Sequence, residues 1–166
     1  TYFGKAFGGG FPVGAIGGKR EFMKVIDSSG EPTGLNQSGT FSGNNFTLAA
    51  GLANLKTLTP SAYNHLNDLG SRLSKGIRDE FNKAAIPVQV LHEGAAVAIY
   101  ITDKKIQDYR SSSIYPDHDL TNRILLGLYL KGYSLRGGIQ FTVSMPMNNS
   151  HIDGFLNALN EVLKES

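Results

Sequence analysis

The chain has 166 residues, enough for one domain or somewhat more with a real hydrophobic core; 40% are hydrophobic and 18% charged. Sixteen Lys and Arg against fourteen Asp and Glu leave a net charge of +2, too weak a field to imply nucleic acid as a partner. There is no cysteine, so disulfides, thiolate catalysis and zinc–thiolate sites are excluded, and no apolar run approaches the roughly 20 residues that cross a bilayer.

The opening, Thr1-Tyr2-Phe3-Gly4-Lys5-Ala6-Phe7-Gly8-Gly9-Gly10-Phe11-Pro12-Val13-Gly14-Ala15, sets one lysine among glycines and apolar side chains. Such neighbours let a backbone approach a ligand closely. They also imply a partly desolvated amine, which favours the neutral nucleophile that imine chemistry needs. The alternative is a turn lysine lying over a Gly-rich hairpin. Two phosphate motifs fail: Ala6 stands where a P-loop needs Ser or Thr, and Val13 takes the last glycine's place in G-x-G-x-x-G.

Residues 11–18 predict a short buried strand ended by Gly17-Gly18, and 19–26 a short helix turning Phe22, Val25 and Ile26 inward. Residues 27–37 read as a polar loop, either an exposed connector or the border of a site mouth or subunit contact. Ser38-Gly39-Thr40-Phe41-Ser42-Gly43-Asn44 then leads into a helix capped by Asn44 or Asn45, with Phe46, Ala49, Leu52, Leu55 and Leu58 on one face. This stretch is either an ordinary N-cap or a phosphate site made of backbone N–H groups and a threonine hydroxyl.

Thr59-Pro60 restarts the chain as cap and first helical residue. Leu66, Leu69, Leu73, Ile77 and Phe81 follow at steps of three and four, an amphipathic helix ended by Pro87. Val88 to Val90 and 95–101 predict two strands joined near Glu93-Gly94; 103–119 is polar and reads as irregular. Leu120, Ile124, Leu125 and Leu128 mark a helix ending at Gly132. Residues 133–135 and 140–145 predict short strands flanking Arg136-Gly137-Gly138. A cap at Asn149 or Ser150 opens a last helix burying Ile152, Phe155, Leu156, Leu159, Val162 and Leu163. From residue 60 the order suggests an α+β domain with a mostly antiparallel sheet under helices.

Arg136 suits bidentate binding of a carboxylate, or is a surface arginine in a turn. His65, His92, His118 and His151 lack ligand spacing, and Asp117-His118-Asp119 reads as a helix cap, so no metal is expected. The serines at 111–113 have no His and Asp partners in sequence and read as loop.

The segment Gly4-Lys5-Ala6-Phe7-Gly8-Gly9-Gly10-Phe11-Pro12-Val13-Gly14-Ala15 resembles the cofactor-lysine segment of class III (fold type I) aminotransferases. Residues 38–44 resemble that family's Gly-Thr-x-x-Gly-Asn segment, and the nearest branch is of the glutamate-1-semialdehyde aminomutase type. The resemblance implies an α/β fold overall, with residues 1–59 the end of a large pyridoxal-phosphate-binding domain and 60–166 a small α+β C-terminal domain. It implies pyridoxal 5'-phosphate as cofactor, with Lys5 as the Schiff-base lysine and the proton carrier of catalysis. Gly39 and Thr40 would contact the cofactor, Thr40 at the phosphate of the partner subunit, in a homodimer with shared sites. Small-molecule amino donors and carbonyl acceptors would be the substrates, with Arg136 on a substrate carboxylate. Around Leu135-Arg136-Gly137-Gly138-Ile139-Gln140 the sequence is shorter than in aminomutases and lacks their glutamate, closer to relatives acting on β-amino or other amino acids. The family's ring-binding half lies ahead of its lysine, so the sequence reads as the C-terminal part of a longer enzyme, inactive alone; a catalytically inert interaction module is the rival reading. The opening lacks a basic-then-apolar leader, and the cytoplasm is the expected location.

Overall fold

A computed structural model describes residues 1–26, 35, 39–135 and 140–165. They divide into two units, Thr1–Thr59 and Pro60–Ser166.

In the first unit, β1 (Tyr2–Gly4) pairs antiparallel with β2 (Gly14–Ile16), Gly4 lying opposite Gly14. A 3-10 turn, Lys5–Gly8, follows β1 directly. The buried strand expected over 11–18 is corrected: it is three residues long and mostly exposed, because β1 is its only sheet neighbour among the described residues. The predicted helix over 19–26 forms as α1 (Arg20–Met23) and a 3-10 turn, Lys24–Ile26. Phe22 is 66% exposed and Val25 is exposed too, so neither turns inward as expected. Of the loop predicted at 27–37, only Leu35 is among the described residues, and it is exposed. Next comes α2 (Asn45–Thr57), capped by Asn44, whose side chain accepts from the Phe46 and Thr47 amides at 3.0 and 3.2 Å. The apolar side chains of α2 stay exposed, Phe46 by 74%; its buried residue is Gly51.

The second unit opens with α3 (Pro60–Lys83), starting at proline as predicted. Its three-and-four stripe places Leu69, Leu73, Ile77 and Phe81 in the core. The helix stops before Pro87 through a left-handed Ala85 (φ 56°), with Ile86 N–H reaching the Phe81 carbonyl at 3.1 Å. A hairpin follows, β3 (Gln89–Glu93) with β4 (Ala96–Tyr100), and β5 (Gln140–Thr142) pairs on β4's other side, giving an antiparallel order β3-β4-β5.

Within the stretch read as irregular lies α4 (Tyr109–Ile114), set by a capping box in which Ser111 N–H donates to Asp108 Oδ1 at 2.7 Å and Asp108 N–H to Ser111 Oγ at 3.0 Å. Then comes α5 (His118–Leu130), capped by Asp117. The strand expected at 133–135 is absent. Gly132 and Tyr133 donate instead to the Tyr129 and Leu128 carbonyls at 2.9 Å, drawing the chain into the end of α5. The last helix, α6 (Asn149–Glu165), takes its cap from Asn148, one residue earlier than predicted: Asn148 Oδ1 accepts from the Ser150 amide at 3.0 Å.

The core of this unit joins α3, α5 and α6 to the sheet around Ile77, Phe81, Ile124, Leu128 and Leu159, all essentially without exposure. Burying each such side chain contributes about 1.5–3 kcal/mol relative to leaving it in water. Close packing depends on two glycines. A Cβ at Gly76 of α3 would lie 2.3 Å from Leu156 of α6, and one at Gly127 of α5 would lie 2.8 Å from Val162 of α6. Arg78 ties α3 to β3 through the Val90 carbonyl at 2.8 Å. The helices and antiparallel sheet agree with the α+β order read from the sequence.

Candidate functional site

Lys5 stands where β1 gives way to the 3-10 turn, with φ at 54°. That left-handed backbone suits glycine and costs other residues roughly 1–2 kcal/mol, so surrounding contacts must impose it. They are present on both sides. Pairing of Gly4 with Gly14 fixes the chain before Lys5. After it, the Ala6 carbonyl accepts from Gly9 N–H at 3.1 Å and from Asn54 Nδ2 of α2 at 2.8 Å.

The turn rests directly on α2, backbone against backbone. A Cβ on Gly9 would lie 2.4 Å from the Ala50 carbonyl oxygen, and one on Gly51 3.0 Å from that of Phe7. Thr47 Oγ1 donates to the Pro12 carbonyl at 3.3 Å. Phe3 and Phe7 stack across the entry to the turn, centroids 5.7 Å apart. Lys5 itself is exposed, and the expectation of a partly desolvated amine is not met within this chain: the glycines around it have no side chains to cover it. Among the described residues no carboxylate pairs with it.

Residues 39–44 fold into turns that lead into α2. Ser42 N–H donates to Gly39 O at 2.9 Å and Asn44 N–H to Phe41 O at 3.2 Å. The N-cap reading of this stretch is realised, since Asn44 occupies the first amides of the helix. The exposed hydroxyls of Thr40 and Ser42 remain, on the rim of a depression of about 490 Å³ that also takes in Pro12, Gly14, Gly39 and Thr47. A Cβ on Gly39 would come within 3.2 Å of Ser42 Oγ, so the bare backbone leaves room there. Lys5 does not line this depression. Arg136 and Ser38 lie outside the described residues.

Each histidine ring makes a hydrogen bond within the second unit. His65, His92 and His118 Nε2 meet the carbonyls of Met147, Gly94 and Ser113 at 2.9, 2.8 and 2.9 Å, and His151 meets the Asn148 side chain. Among the described residues no group of His, Asp and Glu is placed to hold a metal, and no helix is long and apolar enough to cross a membrane. Sequence reading missed Asn54; its one signal was spacing, since Thr47, Gly51 and Asn54 fall at steps of four and three on one face of α2.

The family profile described as Aminotransferase class-III matches residues 1–163. The chain belongs to the class-III aminotransferases. Over 162 residues this family member is 35% identical to glutamate-1-semialdehyde 2,1-aminomutase of Clostridium perfringens, covering 94% of the chain and 37% of that protein. An omega-transaminase from Sphaerobacter thermophilus superposes with a TM-score of 0.94 at 32% identity, over 98% of this chain and 37% of that one. A beta-phenylalanine aminotransferase from Variovorax paradoxus follows with a TM-score of 0.78 at 26% identity, over 99% and 38%. The chain thus spans little more than a third of the length of these class-III aminotransferases.

Proposed function

We propose that this chain supplies the lysine segment and C-terminal domain of an enzyme that uses pyridoxal 5'-phosphate to move an amino group, between a small-molecule amino donor and a carbonyl acceptor or within one molecule. The observation that carries the reading is Lys5, held in a left-handed backbone by contacts on both sides. Strain of that kind persists where surrounding structure over-determines it, and it clusters at working residues.

The groups present fit the cofactor. Lys5 offers an exposed amine to an aldehyde, and the residues 39–44 offer Thr40 and Ser42 hydroxyls, with room left by Gly39, to a phosphate. When bound, the cofactor supplies the electron sink for the bond broken at the substrate carbon. In this reading Lys5 Nζ would hold the cofactor through its aldehyde and, once freed by the incoming amine, would take a proton from the substrate carbon as base and deliver it as acid to the carbon that gains it. Arg136 would bind a substrate carboxylate.

Residues 1–59 would belong to the large cofactor-binding domain and 60–166 to the small one. Thr40 lies on a depression that Lys5 does not line, which supports a homodimer in which Thr40 serves the cofactor held by a second copy's lysine. Phe11, Phe41 and Phe46, exposed around Pro12, suit such an interface.

A second reading of the substrate is favoured by one comparison. The omega-transaminase is similar at a TM-score of 0.94, and the link at 135–140 lacks the aminomutase acid. Transfer between two molecules, from an amine or β-amino acid, is the alternative to the aminomutase shift. The cofactor assignment is tested by incubating the chain with pyridoxal phosphate, reducing with borohydride and mapping the label by peptide mass. Labelling of Lys5 well above every other lysine is expected; a label spread evenly over lysines overturns the reading.

A further inference from the structure

Lys5 is the residue on which the proposed chemistry turns, yet its backbone conformation is one a lysine avoids when left alone. What imposes it is therefore part of the site. β1–β2 pairing holds the chain only up to Gly4. Beyond Lys5, the next carbonyl in the chain, that of Ala6, carries two hydrogen bonds. One, from Gly9 N–H, is internal to the turn and moves with it. The other, from Asn54 Nδ2 at 2.8 Å, comes from α2, outside the turn.

We propose that Asn54 is a positioning residue for Lys5: its amide pins the Ala6 carbonyl to α2 and so keeps Lys5 in the left-handed backbone that aims its amine. The proposal rests on the reading of Lys5 given above. Asn54 is half-buried and 48 residues away in sequence, so the contact reports the fold and not local chain geometry. Its neighbours on the same helix face act with it. Gly51 lets α2 come within backbone contact of Phe7, and Thr47 holds Pro12 on the far side of the turn. Neither of these touches the Ala6 carbonyl; Asn54 does. A hydrogen bond to a fixed scaffold is what holds a reactive side chain within the narrow limits that proximity catalysis requires.

Two variants test this in the full chain. Asn54→Asp keeps the side chain's shape but, ionised, has no proton to donate; Asn54→Leu keeps its size and removes its polarity. Two readouts separate the contact from the chemistry. The HN–Hα coupling and Cα chemical shift of Lys5, measured by NMR without cofactor, report the sign of φ. The preference of pyridoxal phosphate and borohydride for Lys5 over the other lysines reports its reactivity.

Both variants are expected to move the Lys5 signals toward the ordinary right-handed range and to cut labelling preference about tenfold, with helix content unchanged. Unchanged Lys5 signals in Asn54→Asp overturn the proposal, whatever Asn54→Leu does to packing. Signals that respond while wild-type Lys5 shows no labelling preference support the Asn54 contact and overturn the function proposed above. If Asn54→Leu loses helix content, Asn54→Asp decides alone.

Discussion

The two units are held together in opposite ways. Pro60–Ser166 buries a continuous set of large side chains, from Leu69 on α3 to Leu163 on α6. In Thr1–Thr59 the only fully buried described residues are Gly8 and Gly51, while Tyr2, Phe41 and Phe46 are exposed by 89%, 84% and 74%. One unit is stabilised by excluding water from side chains; the other is ordered by backbone lying on backbone, with a few side-chain amides and hydroxyls as ties. Among the described residues of the first, the left-handed non-glycine is Ala85, which has no reactive side chain. The second has little apolar cover within this chain, and it is where a lysine sits at φ 54°. The backbone geometry of that lysine depends on a handful of contacts.

The largest expected effects test that contrast head-on. Lys5→Ala should abolish site-specific labelling by pyridoxal phosphate and borohydride while leaving the denaturant midpoint of the chain unchanged, as peptide mapping and urea titration would record. In the core, Phe81→Ala should cost about 3–5 kcal/mol. In the thin unit, Phe46→Ser should change the same measurement by no more than roughly 0.5 kcal/mol. A large loss from Phe46→Ser would mean that its cover comes from within the chain, and the contrast would fail.

Smaller effects sharpen it at the level of the backbone. Gly9→Ala puts a methyl against the Ala50 carbonyl at a φ of 60° and should speed hydrogen exchange at the Gly9 and Phe11 amides without touching exchange in α3 or α6. Ala85→Gly runs the other way: it relieves the left-handed strain at the end of α3 and should raise stability by about 0.5–1 kcal/mol in urea titrations.

The smallest effect is electrostatic. Burial would raise the Glu80 carboxyl, but hydrogen bonds from Lys83 and Asn160, with the charge of Lys83, outweigh it and hold the group below its ordinary 4.5. A carboxylate lowered on folding adds stability above that ordinary value and loses it as pH falls through the folded value. Glu80→Gln should therefore flatten the acid limb of the stability profile, through a small loss at neutral pH that disappears at low pH; the loss is small because Lys83 is mostly exposed.

Much of the second unit was legible because its periodicity and its packing agree. The stripe from Leu66 to Phe81 named the face of α3 that the core uses, and the run from Ile152 to Leu163 named that of α6. Periodicity identifies a face but not what covers it, and so Phe22 and Val25 were expected inward and lie exposed, while Phe46, Leu52 and Leu55 on the apolar face of α2 are exposed too. Helix α4 escaped notice because three serines conceal it; the Asp108–Ser111 box was the available signal. At the site, the lysine motif and the residues 39–44 stood out by composition. The left-handed turn at Lys5 and its tie to Asn54 did not, since a positive φ at lysine leaves no local pattern and the spacing of Thr47, Gly51 and Asn54 does not say what that face meets 48 residues away. Residue identity announces chemistry; the scaffold that aims it is written in long-range geometry.

Gly76 and Gly127 cut keyways on α3 and α5, and Leu156 and Val162 are the bits of α6 that enter them. A lock of this kind couples positions that never neighbour each other in sequence. Gly76→Ala should be poorly borne with Leu156 in place yet tolerated beside Leu156→Ala, the two changes together costing less than their sum. Evolution could then widen one helix only by trimming another, in a single coordinated move.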